Sequence, residues 1–250
     1  MQSNAQRTAL VGGGGAGIGR AVAEALAAQG HQVVVTGRKP PEVANGIHPL
    51  VADISDPDSA EPTVREVAER FGGPDILVLN AGGPPPGRIL DLGDEHWRAA
   101  FELLLLGPLR LARLVLPGMA ERGFGRVVII TSTAVRQPQP DIAASVVLRA
   151  AVTSAAKLLS REFADAGVTV NCVAPGPTDT ERRRQILTAR ARREGRPYSE
   201  VEAEDVAVVP AGRAGRAEEI AAAVCFLASD AASYVNGTVL TVDGGRTETT

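Results

Sequence analysis

The sequence holds little of what builds disulfide frameworks, metal sites or stacking surfaces. Two cysteines, Cys172 and Cys225, occur in 250 residues, both in apolar contexts and without metal-ligand spacing. That argues against a disulfide scaffold and fits buried thiols in a reducing cytoplasm. The three histidines, His31, His48 and His96, lie too far apart in the chain to suggest a metal site. Aromatic residues are 3% of the total, which leaves base-stacking platforms and aromatic cages little material. A basic excess is also missing. Lys and Arg number 26 against 29 Asp and Glu, a net charge of −3, so no counterion-releasing nucleic-acid surface is expected. No apolar run approaches the roughly 18 residues of a membrane span, and Met1 to Thr8 is polar without a signal-peptide core. Together these absences predict a cytoplasmic chain with neither nucleic acid nor membrane as partner.

What is present is a globular balance, 44% hydrophobic and 22% charged, with no internal repeat. The length suits one α/β domain over 1–250. Short apolar runs at Thr8 to Val11, His31 to Thr36, His48 to Ala52, Asp75 to Leu79, Arg126 to Thr131, Val168 to Val173 and Val239 to Val242 read as strands. Between them, helical spacing covers Gly17 to Gln29, Asp58 to Phe71, Glu95 to Met119, Ile142 to Ala166 and Glu218 to Ala228. Strands without a polar face, alternating with helices, predict a parallel sheet covered on both sides: a Rossmann-type doubly wound α/β fold. The stretch 177–215 breaks the alternation. From Thr180 to Arg216 it carries Glu181, Arg182, Arg183, Arg184, Arg190, Arg192 and Arg193 and two prolines, Pro197 and Pro210. Because strand and helix order resumes after it, it reads as a charged substrate lid inserted between sheet elements.

The first strand runs into Gly12-Gly13-Gly14-Gly15-Ala16-Gly17-Ile18-Gly19, which opens a helix. Glycines let backbone approach a pyrophosphate, and a helix N-terminus offers free N–H groups and positive potential. Gly13, Gly17, Ile18 and Gly19 in this spacing resemble the coenzyme motif of the short-chain dehydrogenase/reductase family. So do Asn80-Ala81-Gly82 after the fourth strand, Pro175-Gly176 followed by Thr180, and Asp243-Gly244-Gly245 near the end. The resemblance extends from Thr8 to Gly245. It implies a nicotinamide coenzyme, a homodimer or homotetramer, an adenine contact at Asp53 and a nicotinamide contact at Thr180. Asp53 could equally cap the turn from Ser55 to Asp58. The second strand ends Thr36-Gly37-Arg38-Lys39, with no carboxylate to hold a ribose 2′-hydroxyl. Arg38 is a planar fork that suits a 2′-phosphate, with Arg20 as a possible second cation, so NADP(H) is expected ahead of NAD(H).

The family's usual active site is an Asn, a Ser and a Tyr-x-x-x-Lys pair. Aligned by motif, Ser132 keeps the Ser position. Ser145 stands at the Tyr position, Arg149 at the Lys position, and Leu104 at the Asn position. An aliphatic hydroxyl is a far weaker acid than a phenol, and a guanidinium stays protonated at neutral pH. The site is therefore altered throughout. In one reading hydride still moves to a carbonyl of a 3-oxoacyl-like or polyketide-like substrate, with Ser132 and Ser145 orienting it and Arg149 stabilising developing negative charge. In a second, the chain binds coenzyme but serves as a non-catalytic subunit in a hetero-oligomer with an active paralogue. In a third, the pocket runs a non-redox reaction. Among other candidates, Asp141 reads as a helix cap, His96 as a helix-end packing residue, Lys157 as a solvated or interface residue, and Asp179 as a surface turn. The lid arginines read as a salt-bridged helix, or alternatively as a basic mouth for an acyl thioester whose carrier bears phosphate.

Overall fold

The computed structural model describes residues 6–39, 43–44 and 46–249. Most of the segment from Met1 to Thr8, read above as polar and leaderless, lies outside the described residues. Seven strands form a single sheet: β1 Thr8–Gly12, β2 Gln32–Gly37, β3 Ile47–Val51, β4 Ile76–Leu79, β5 Gly125–Ile130, β6 Val168–Pro175 and β7 Val239–Val242. Their spatial order is β3-β2-β1-β4-β5-β6-β7, and every neighbouring pair is parallel. The order reverses direction between β1 and β4, the crevice where open α/β sheets bind ligands beyond their strand C-termini.

The strands lack a polar face because both faces are covered. On one side Ala9, Val11, Val33, Val35, Ile76, Val78 and Val128 pack against Val22 and Leu26 of α1 (Gly17–Ala28). Ile220, Val224 and Leu227 of the C-terminal helix, Ala217–Ala228, complete that layer. On the other side, Leu10, Val34, Leu77, Leu79, Val127 and Ile129 meet α2 (Ala60–Phe71) and the two long helices of the chain centre. Burying each of these Val, Leu or Ile side chains contributes about 1.5–3 kcal/mol.

The expected helix from Glu95 to Met119 is three pieces. Helix α3 (Asp94–Phe101) runs into a π-helical turn, Glu102–Leu106, and continues as α4 (Gly107–Glu121). Gly107 explains why the close packing there is possible. A Cβ on it would collide with the Ile54 carbonyl, so the chain is pressed against the β3–α2 loop at the π turn. Pro108 falls in the first turn of α4, where a missing N–H is harmless, and does not break a helix. Helix α5 (Ala143–Glu162) ends before Ala166 in a 3₁₀ turn closed by Gly167 at φ +74°. Among the described residues α5 is the one helix long and apolar enough to cross a membrane, with 20 residues and a mean hydropathy of 1.3. This corrects the expectation that no such run exists. Val152 and Ala156 of α5 lie in the core against the sheet.

The charged stretch contains two helices, α6 (Glu181–Glu194) and α7 (Tyr198–Ala207), before the C-terminal helix α8 (Ala217–Ala228). Only the first was legible as helical. Leu187, Ala191 and Val201 pack with Tyr198 into a small core of their own. The pair α6–α7 is thus a unit with its own packing, set beside the main sheet.

Candidate active site

A cleft of about 860 Å³ opens at the C-terminal ends of β1, β4, β5 and β6. Every predicted coenzyme and catalytic residue except Gly19 lines it: Gly13, Gly17, Ile18, Arg38, Asp53, Asn80, Ala81, Gly82, Ser132, Ser145, Arg149, Pro175, Gly176 and Thr180. Gly19 is buried behind the loop, and a Cβ there would strike the Gly13 carbonyl and the Asn80 amide. Its role is close packing of helix on strand.

The glycine turn fits a pyrophosphate. Gly13 (φ +61°) and Gly17 (φ +53°) hold left-handed conformations that other residues avoid. Ala16 caps α1 without a side-chain acceptor, so the first N–H groups of the helix stay available. Asn80 fastens the turn to β4 by donating from Nδ2 to the Gly12 carbonyl at 3.1 Å. Arg38 is exposed on the cleft rim after β2 and has no ion-pair partner among the described residues. Arg20 instead pairs with Glu24 at 2.8 Å, so its expected role as a second phosphate cation is not prepared in this arrangement. Asp53 lines the cleft, but its Oδ1 already accepts from the Ser55 amide (3.0 Å) and hydroxyl (2.6 Å). Thr180 caps α6 by accepting from the Arg183 amide at 3.4 Å, and its methyl packs over Gly17.

Ser145 and Arg149 are one turn apart on α5 and share a face. The Arg149 guanidinium lies on the cleft floor, where Nε donates to Ser145 Oγ (3.1 Å), Nη1 to the Ile130 carbonyl (2.6 Å) and Nη2 to the Ala81 carbonyl (3.4 Å). Its neighbours are dipoles, with no carboxylate among them. Burial, and secondarily the charge of Arg182, lower its pKa to about 10, below the value expected from sequence. It remains a cation at neutral pH. Ser132 Oγ accepts from the Ala134 amide at 3.1 Å, which fixes its rotamer at the end of β5. Leu104, expected from sequence at the relay position, is 2% exposed in the π turn and packs with Ala100, Ala144 and Leu148. It plugs the space behind the Ser145–Arg149 face with hydrocarbon, and its neighbour Leu103 reaches the cleft wall instead.

Several sequence expectations change. Asp141 does not cap α5, whose N-cap is Ile142 with no side-chain bond. Its Oδ2 accepts from Arg193 at 2.8 Å and so clasps α6 to the start of α5. His96 lies on the cleft rim and not in a helix-end packing site. Lys157 donates to the Gly237 carbonyl at 3.1 Å. The lid arginines form no free basic mouth. Arg183 is 9% exposed and held by Asp205 (2.9 Å) and Glu202 (3.0 Å), and Arg184 pairs with Glu181. Arg190 pairs with Glu194 and Glu204, as does Arg196. The salt-bridged reading holds for these. Neither Tyr198, which bonds Glu202, nor Asp179 lines the cleft.

Arg182 is the exception and was not singled out in advance. Its side chain turns into the cleft, where Nη2 donates to the Pro84 carbonyl at 2.6 Å. Gly83 makes room for it, since a Cβ there would overlap the guanidinium. Three consecutive arginines on a helix point about 100° apart: Arg182 and Arg183 line the cleft and Arg184 does not, and of the two that do, Arg183 is neutralised by Asp205 and Glu202. The phase is set by the Thr180 cap.

Comparison with known proteins agrees with this geometry. A family profile described as Enoyl-(Acyl carrier protein) reductase matches residues 13–247. The chain belongs to the short-chain dehydrogenase/reductase family. It is 36% identical to the 3-oxoacyl-[acyl-carrier-protein] reductase FabG of Escherichia coli (strain K12), over 96% of each chain. It is 34% identical to the D-beta-hydroxybutyrate dehydrogenase of Cupriavidus necator, over 96% of this chain and 97% of that one. The solved structure of L-sorbose reductase from Gluconobacter frateurii, complexed with NADPH and L-sorbose, superposes with a TM-score of 0.90 at 29% identity, covering 100% of both chains. Membership of this family makes an NAD(P)-dependent oxidoreductase fold of the architecture described above.

Proposed function

We propose that the chain reduces the carbonyl of a small molecule, 3-oxoacyl-like or polyketide-like, with NADP(H) as preferred coenzyme and NAD(H) as a secondary one. The observation that carries this reading is that one cleft joins the glycine turn, the unpaired Arg38, and the Ser132–Ser145–Arg149 group. The coenzyme, when bound, supplies the hydride. Gly13, Gly17 and Ile18 would hold its pyrophosphate, Arg38 its 2′-phosphate, Asp53 and Ala81 its adenosine half, and Asn80, Gly82, Pro175, Gly176 and Thr180 the remaining wall.

The chain's own residues then act on the substrate oxygen. Ser132 and Ser145 orient the carbonyl by hydrogen bonds. Ser145 Oγ accepts from Arg149, which leaves its proton free to donate to the substrate. Arg149 stabilises the alkoxide charge that grows on the oxygen, in a desolvated site where such stabilisation is strong. No phenol lines the cleft among the described residues, so the proton comes from water through the open mouth. The lid, about 177–215, closes over the substrate, held by the Arg193–Asp141 clasp. The relatives named for acyl-carrier and hydroxyacid substrates support the carbonyl class.

One observation favours a second reading, a non-catalytic subunit beside an active homologue: the acid of the usual site is replaced by Ser145 while Leu104 fills the relay position. A chain incubated with NADPH and a carbonyl panel decides between them. Coenzyme oxidation with matching alcohol formation supports the reductase; tight coenzyme binding with no hydride exchange supports the subunit. For assembly we propose a homodimer or homotetramer in the cytoplasm, through the exposed apolar side chains Phe101, Leu114, Val147 and Leu158 of α3, α4 and α5. Size-exclusion of the isolated chain tests it. A monomer that shifts only when a paralogue is added would point to the hetero-oligomer.

A further inference from the structure

Arg149 and Arg182 reach the same strip of backbone from opposite elements. Arg149 rises from α5 to the Ala81 carbonyl, and Arg182 descends from α6 to the Pro84 carbonyl, three residues away. Neither has an ion-pair partner among the described residues. The carboxylates on the cleft wall are engaged elsewhere or distant in role: Asp205 holds Arg183, Glu181 holds Arg184, and Asp53 holds Ser55. Glu95 is exposed in the first turn of α3 and pairs with neither arginine. Arg183, Arg184, Arg190, Arg193 and Arg196 of the α6–α7 unit are each matched with acid, whereas the arginine that enters the cleft is not.

Two half-desolvated like charges side by side raise the energy of the empty site, and a single anion between them relieves both. Donors remain to receive it. Of the five N–H groups on each guanidinium, Arg149 uses three and Arg182 one. Gly83 shows that the arrangement is accommodated by the backbone, because any side chain there would displace Arg182. A monoanion fits this depth better than a phosphate dianion, whose desolvation rises with the square of its charge.

We propose that Arg149 and Arg182 together bind a free carboxylate carried by the substrate, which makes the cleft selective for 2-oxo or 3-oxo acids over their neutral esters and thioesters. This rests on the reductase reading for the identity of the reacting carbonyl, but the anion site itself is independent of turnover.

The test is calorimetric titration of the full chain with acetoacetate and with methyl acetoacetate, with NADP⁺ present so that the coenzyme groove is filled and reduction is impossible. Acetoacetate should bind about tenfold or more tighter than its ester. Arg182→Met should erase that preference, and so should Gly83→Ala, which keeps the arginine but moves it. Arg184→Met, on the outer face, should leave it intact. Circular dichroism verifies that each variant is folded. Equal affinity for acid and ester, or an undiminished preference in both Arg182→Met and Gly83→Ala, overturns the proposal. Acid-selective binding without any NADPH oxidation upholds the anion site and removes the reductase reading. Turnover of the ester with no acid preference does the reverse.

Discussion

Replacing Arg149 by Met separates the two things this residue does, because its effects on folding and on catalysis have opposite signs. The guanidinium sits on the cleft floor with no counter-ion, and burial lowers its pKa to about 10. Set against an unfolded value of roughly 12.5, at 1.36 kcal/mol per tenfold, the charge opposes folding by about 3 kcal/mol. Exposure of one edge to the open cleft reduces that to about 2 kcal/mol. The sign follows from the direction of the shift. A base whose folded pKa is depressed is penalised fully below that pKa, and the penalty fades only as pH rises through it. Methionine removes the penalty and keeps the stem packing, but it leaves the Ile130 carbonyl, the Ala81 carbonyl and Ser145 Oγ without a donor. Water entering the cleft replaces part of that loss, at about 1 kcal/mol per bond. The net expectation is a melting temperature equal to the parent's or up to about 3 °C higher, with the difference flat between pH 6 and pH 9. Over the same variant kcat/KM for NADPH-dependent reduction should fall by about 10²–10³, the loss of one oxyanion-stabilising group. Differential scanning fluorimetry and coenzyme absorbance measure the two. A drop of more than about 5 °C would show that Arg149 is a structural pillar and not an uncompensated charge; an undiminished kcat/KM would place the chemistry elsewhere.

Three further outcomes follow from single contacts. Arg38→Ser should weaken NADPH binding by about tenfold, the value of a charge-assisted phosphate pair, while leaving NADH unaffected; fluorescence titration of both coenzymes reads it, and equal losses would show that Arg38 does not touch the 2′ position. Asp141→Asn removes the charge that clasps Arg193 on α6. It should raise KM several-fold at nearly constant kcat and shift stability by less than about 1 kcal/mol, as expected for a partly exposed pair, and a change in kcat alone would count against a lid. Cys172 and Cys225 are buried, and burial raises their thiols to about 12 and about 11 respectively. Ellman's reagent should therefore label neither within minutes at pH 8 until denaturant is added, and prompt labelling would contradict the described packing.

The strands were legible because a buried parallel sheet leaves an uninterrupted signature. Val33-Val34-Val35 has no polar face to offer, and both of its faces are indeed covered. The glycine turn was legible because its positive φ values demand glycine at Gly13 and Gly17. The break of the central helix was not, because a π turn through Glu102–Leu106 is imposed by the press of Gly107 on Ile54, a contact between segments far apart in sequence. The same limit hid Arg182. The sequence displays arginines and acids intermixed along the lid, and only tertiary placement shows that Arg182 turns into the cleft without an acidic partner. Asp141 was misread for a related reason. Position before a helix suggests a cap, yet the competing partner, Arg193, arrives from 52 residues away.

The arrangement at the cleft is easier to understand as a set than residue by residue. A lysine at position 149 would present a compact ammonium that reaches one or two acceptors, whereas the guanidinium fork spans Ser145, Ile130 and Ala81 at once and still leaves donors over. With that fork in place, the small hydroxyl of Ser145 accepts from its Nε at 3.1 Å. A relay asparagine at 104 would then face no acid to serve, and a leucine there instead joins Ala144 and Leu148 to brace the helix that carries the fork. Ser145, Arg149 and Leu104 are therefore mutually consistent in hydrogen bonding and in packing. Loss of function by drift would be expected to leave at least one of these groups stranded. Here Arg149 and Arg182, which have no ion-pair partner among the described residues, face an open cleft, which is where a ligand supplies one.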